Sequence, residues 1–99
     1  MSIEQSDKEA AAVQKTENRV TLESIKDKIA EVEYHSPALN PTMTIAIVKM
    51  KNGFVLIGKS APADPENFNA ELGQKFALED VMRQAWAYEG YLLREKLAA

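Results

Sequence analysis

Lys49, Lys51 and Lys59 fall in a stretch, Tyr34 to Ala63, that contains no acidic residue. With Ser60 they lead toward a helix start at Pro65, where unpaired backbone N–H groups favour phosphate or carboxylate. An anion site is one chemistry these residues permit. The other role open to them is to blunt edge-to-edge strand pairing. Trp86, Tyr88 and Tyr91 cluster further along and suit stacking on a base or filling a partner's pocket. At helical spacing Trp86 also suits the core or an oligomer contact.

Catalytic chemistry has less to work with. His35 is the sole imidazole. Glu31 precedes it by four residues, and on a helix such a pair can hold a divalent metal, but no third ligand is indicated and no metal site is expected. A cation at a helix C-terminus accounts for His35 with less assumption. Glu79 and Asp80 are adjacent, with Glu71 nearby, but neighbouring helical residues do not face each other, so these acids are expected as solvated surface. Nothing resembles a nucleophile elbow around Ser24, Ser36 or Ser60, and no dinucleotide fingerprint or P-loop is present. Cysteine is absent, which removes a thiolate nucleophile and a cysteine zinc site. No catalytic residue, metal or cofactor is therefore expected, and a non-enzymatic protein is.

The elements that must position these side chains are read from periodicity and punctuation. Residues 1–19 are poor in large apolar side chains and are expected as a mobile arm before a single α+β domain at 20–99. Thr21 is the candidate N-cap, with Val20 and Ile25 as a hydrophobic staple. Leu22, Ile25, Ile29 and Val32 recur on one face and predict a helix from about 22 to 34, closed by Pro37 and Pro41. Residues 42–51 and 54–60 flank Asn52-Gly53, the signature of a type I′ hairpin. That turn pairs Met50 with Val55 and Val48 with Ile57, placing Val48, Met50, Val55 and Ile57 on one apolar face. The opposite face carries Ile45, Ile47, Phe54 and Leu56 among lysines and needs a cover, for which a second subunit is a candidate.

Asp64-Pro65-Glu66 is a compact helix start. Apolar residues then recur at helical spacing to Leu97, which predicts a helix of about 50 Å at 1.5 Å per residue, longer than a compact domain of this size. A bend near Gly90 is expected, and Gly73 is read as a close approach to the hairpin. The fold class is thus α+β: an N-terminal helix, an antiparallel β-hairpin and a long C-terminal helix.

Composition sets further bounds. Ninety-nine residues with a formal charge of -3 describe one small, mildly acidic domain with a thin stability margin. The charge disfavours bulk attraction to nucleic acid. No apolar run approaches a membrane span and the N-terminus lacks a signal-peptide core, so a cytoplasmic, soluble protein is expected.

The run from Asn52 to Leu97 resembles a family of small tailed-phage proteins, the gene-49/gene-66 family. The resemblance rests on Asn52-Gly53-Phe54, the small-residue segment Gly58 to Ala61, Pro65-Glu66-Asn67-Phe68-Asn69, Glu71-Leu72-Gly73 with Lys75, then Trp86 and Gly90-Tyr91-Leu92-Leu93. Family members often have Pro straight after the Trp, where this chain has Ala87. The resemblance implies a phage accessory protein and assigns no functional residues. A small phage protein without a catalytic constellation is expected to bind, and block or sequester, a host component in the host cytoplasm. A host defence protein is the first partner expected, met by the acidic surface and exposed aromatics. The alternative is an oligomeric sponge that traps a small anionic nucleotide signal between the lysines of the hairpin, the Pro65 helix start and an aromatic of a neighbouring subunit. Nucleic-acid binding is a third, disfavoured by charge. Both leading expectations entail a homo-oligomer.

Overall fold

The computed structural model describes residues 2–99; Met1, the first residue of the expected arm, lies outside them. The elements are α1 (Ile3–Ala12), α2 (Leu22–Asp27), β1 (Ile29–His35), β2 (Thr44–Met50), β3 (Val55–Ser60), a 3-10 turn (Pro65–Asn67) and α3 (Ala70–Ala98). The architecture is α+β, as expected. The hairpin is enlarged to a three-stranded antiparallel sheet, ordered β1-β2-β3.

The helix predicted over 22–34 ends at Asp27. Thr21 caps it as expected, its hydroxyl accepting from Ser24 N–H while Ser24 Oγ accepts from Thr21 N–H. Beyond Lys28 the sequence Glu31-Val32-Glu33-Tyr34 alternates, and the two-residue period wins because β2 offers a partner: Val32 pairs with Val48 and Tyr34 with Ala46. His35 consequently stands at the end of a strand opposite Ile45, not at a helix C-terminus. Glu31 and His35 lie roughly 13 Å apart at strand rise, which dissolves the helical metal pair.

The hairpin turn also differs from expectation. Only Gly53 takes positive φ, at +90°, whereas a type I′ turn needs two such residues. Met50 C=O accepts from Gly53 N–H at 2.9 Å, Met50 N–H donates to Phe54 C=O at 2.8 Å, and Asn52 Oδ1 accepts from Phe54 N–H at 2.9 Å. These bonds define a three-residue loop with a glycine bulge. The pairing slips by one residue: Lys49 faces Val55, Val48 faces Leu56 and Ala46 faces Gly58. A one-residue slip exchanges the faces of a strand, so Leu56 enters the core while Val55 and Ile57 join Ile45 and Ile47 on the open face.

The core lies between the inner sheet face and α3. Ile25, Ala46, Val48, Ala77 and Val81 are fully buried, and Leu22, Met50, Leu56, Met82 and Ala85 nearly so. Gly58 lets α3 pass directly over β3: a Cβ there would stand 2.3 Å from the Ala77 carbonyl oxygen. Gly73 packs on Thr44 in the same way, with 2.6 Å to the Thr44 hydroxyl, as the close approach predicted from sequence.

Asp64 caps only the 3-10 turn, accepting from Glu66 N–H at 3.0 Å. Asn69 is the N-cap of α3, accepting from Leu72 N–H at 3.1 Å. The helix then continues for 29 residues without interruption at Gly73 or Gly90. At 1.5 Å per residue it is about 43 Å long, close to the 48 Å long axis of the molecule. Its length is accommodated by protrusion, with Tyr91, Leu92 and Leu97 exposed.

Within the stretch expected as an arm, residues 3–12 are helical. Ser2 caps α1 by accepting from Gln5 N–H, and among the described residues of this stretch Ile3 is the large apolar side chain that joins the core. Asp7 Oδ1 accepts from Arg19 Nη1 at 2.8 Å and from Leu22 N–H at 3.2 Å, fastening α1 to the start of α2.

Candidate functional site

The hairpin tip and the middle of α3 enclose a groove of about 580 Å³. Its floor is buried Met50, Leu56 and Ala85, side chains that the slipped register and the helical period bring together. Phe54 and Tyr88 stand over this floor edge to face, with ring centroids 5.5 Å apart at 73°. Both rings are about half exposed, and Tyr91 and Leu92 extend the apolar wall one turn further along α3. Such edge-to-face pairs contribute about 1 kcal/mol beyond area burial and hold both rings in place.

The rim is polar. Lys51 N–H donates to the Lys28 carbonyl at 2.8 Å, so the turn is tied to the junction of α2 and β1 and two lysines border one groove. Lys28 Nζ is paired with the Glu89 carboxylate. Lys51 is exposed and has no ion pair among the described residues. An apolar, aromatic-walled cleft of this volume with a few polar groups at its mouth is the usual form of a small-ligand site.

Of the residues singled out from sequence, Lys51, Tyr88 and Tyr91 meet here. Lys49 stands on the open sheet face between Glu31 and Val55. Trp86 is half-buried and packs against the core. Lys59 and Ser60 border a second depression with Lys75, Glu79, Asp80 and Arg83. There Asp80 Oδ2 accepts from Lys59 N–H at 3.0 Å, and Glu79 is buried with its Oε2 lacking a hydrogen-bond partner among the described residues. The acids expected as solvated surface are therefore structural at Asp80 and interior at Glu79. Packing of α3 on the sheet overrides the surface character that adjacent charges suggest.

Phe54, Lys28 and Leu92 also belong to the groove, beyond the residues singled out by type and spacing. Phe54 directly follows the Asn-Gly turn, which was the available signal. Lys28 falls inside the helix that the apolar period predicts, where a lysine among Asp27 and Glu31 is an ordinary solvated residue. No group of three or more metal-ligating side chains occurs among the described residues. No described helix is long and apolar enough to cross a membrane.

A three-stranded antiparallel sheet crossed by one long helix, with an aromatic groove where helix and hairpin tip meet, defines a small α+β protein. The chain belongs to the phage protein (N4 Gp49/phage Sf6 gene 66) family, whose model matches residues 20–97. The match takes in α2 through α3 and leaves α1 outside. No curated protein and no solved structure matches the chain.

Proposed function

We propose that this phage protein is a non-enzymatic binding protein whose groove at the hairpin tip takes a small anionic ligand bearing an aromatic ring, of the nucleotide class, and sequesters it during infection. The observation that carries this reading is the Phe54–Tyr88 pair standing over an apolar floor beside Lys51 and Lys28. Ring faces stack on a base with little regard to its identity, while Lys51, which has no ion pair among the described residues, supplies the phosphate partner. The volume, about 580 Å³, falls within the range of roughly 300–1,000 Å³ usual for ligand pockets. Thermal-shift screening against cyclic di- and trinucleotides and related nucleotide signals tests it. A ligand at a hundred times its dissociation constant stabilises the fold by about 2.7 kcal/mol, and a panel without any stabilisation contradicts the proposal.

A second reading is a host protein as the component bound. It is favoured by Tyr91 and Leu92, which stay exposed where α3 leaves the sheet and extend the groove wall as a contact surface. On this reading a host defence protein would dock an apolar segment there, and the nucleotide panel would be silent while Tyr91→Ala weakened capture of that protein. Self-association through the same helix end belongs to both readings, and sedimentation of the full chain tests it.

A further inference from the structure

The two edges of the sheet are treated differently. At β3, side chains of α3 occupy the outward backbone groups: Asp80 Oδ2 accepts from Lys59 N–H and Gln84 Nε2 donates to the Ile57 carbonyl. Ile57 and Lys59 therefore point their backbone groups away from β2. By the alternation of an antiparallel ladder, their partners Ile47 and Ile45 face β1 instead, where they bond Glu33 and His35. The backbone N–H and C=O groups of Val32 and Tyr34 are then directed to the outer edge of β1, and no described hydrogen bond from elsewhere in the chain reaches them.

Charge on this open edge is one-sided. Glu31 and Glu33 stand on the open face of β1, and β1 carries no Lys or Arg. A second copy paired antiparallel about Val32 would set Glu31 against the Glu33 of the other chain, an unfavourable arrangement of like charges. Within the chain, Glu31 already faces Lys49 of β2, in the run Val48-Lys49-Met50-Lys51. The same complementarity applies outward.

We propose that the free edge of β1 takes an extended segment of a protein partner whose basic residues alternate with apolar ones, the basic residues opposite Glu31 and Glu33 and the apolar ones beside Val32 and Tyr34. Main-chain bonds to Val32 and Tyr34 supply affinity, and the two carboxylates supply selection. This site is separate from the groove and does not depend on the ligand assigned there.

The test uses the full chain and two capped peptides, one alternating Lys with Val and one alternating Glu with Val, followed by backbone amide shifts and exchange. The Lys peptide is expected to slow exchange at Val32 and Tyr34 and to bind about tenfold more tightly than the Glu peptide, two opposite-charge pairs replacing two like-charge ones. Val32→Pro removes an outward N–H without touching the β1–β2 ladder and is expected to abolish binding. The double variant E31K/E33K is expected to reverse the peptide preference, and it decides the matter should the proline variant unfold. Equal binding of both peptides, unchanged preference in E31K/E33K, or no binding of the Lys peptide at millimolar concentration overturns the proposal. So does a concentration-dependent dimer of the parent chain that protects the same amides, which would make a second copy the occupant.

Discussion

Gly58 sits against the Ala77 carbonyl so closely that a methyl group on it would stand 2.3 Å from that oxygen and 2.8 Å from Val81 Cγ2. This contact sets how near α3 lies to β3, and with it the height of the groove wall that Tyr88 provides. Gly58→Ala pushes backbone against backbone and is expected to cost about 3 kcal/mol or more. Gly73→Ala meets the Thr44 side chain instead and should cost less, since a side chain yields more easily than a helix. Gly90→Ala meets nothing within 4 Å and should stabilise α3 by about 0.5–1 kcal/mol. Urea midpoints for the three variants check this order.

The outer edge of β3 is closed by Asp80, not by another strand. Asp80→Ala leaves Lys59 N–H without its acceptor, at a loss of about 1.5 kcal/mol for a bond to a charged group. Amide exchange at Lys59 should then quicken about tenfold. Asp80→Asn, which retains an acceptor oxygen, should restore most of the protection.

Asp7 governs how firmly α1 is attached. Burial raises its pKa, but the hydrogen bonds from Arg19 and from Leu22 N–H, together with the Arg19 charge, outweigh burial and leave it below the ordinary carboxylate value of 3.8. A depressed pKa in the folded state means that the stabilising contribution is complete above the unfolded value and is lost as pH falls through the folded one. Acidification below about 3.8 should release α1 before the sheet unfolds. Asp7→Asn should loosen α1 at neutral pH, visible in the amide shifts of Ala10 to Ala12.

The turn at Gly53 explains both what was legible in the sequence and what was not. Asn52-Gly53 correctly announced a hairpin, but the dipeptide serves two turn geometries that differ by one residue of register. The difference lies in whether Asn52 takes positive φ or turns its side chain to Phe54 N–H, which no local pattern decides. Gly53→Ala should cost about 1–2 kcal/mol, the penalty of a side chain in the left-handed region, measurable in the same urea series.

Long-range pairing hid the rest. Leu22, Ile25, Ile29 and Val32 fit a helix as well as they fit a helix followed by a strand, and only the presence of β2 chooses between them. Once β1 is a strand, the helical pairing of Glu31 with His35 disappears and Lys28 arrives beside Lys51. By contrast Thr21 as a cap, Gly73 as a close approach and the helical spacing of α3 were readable, because each depends on local geometry or on an uninterrupted period. Tyr88, Tyr91 and Lys51 were recognisable by residue type, whereas their company in one groove depended on the slipped register.

The groove itself is tested most directly by titrating the isotopically labelled chain with the nucleotide that gives the largest thermal shift, reading backbone amides residue by residue. The expected result is a saturable shift confined to Lys28, Lys51 to Leu56 and Tyr88 to Leu92, lost in Tyr88→Ala and weakened in Lys51→Ala. Shifts centred on Lys59, Ser60 and Arg83, or saturable binding that Tyr88→Ala leaves unchanged, would contradict it.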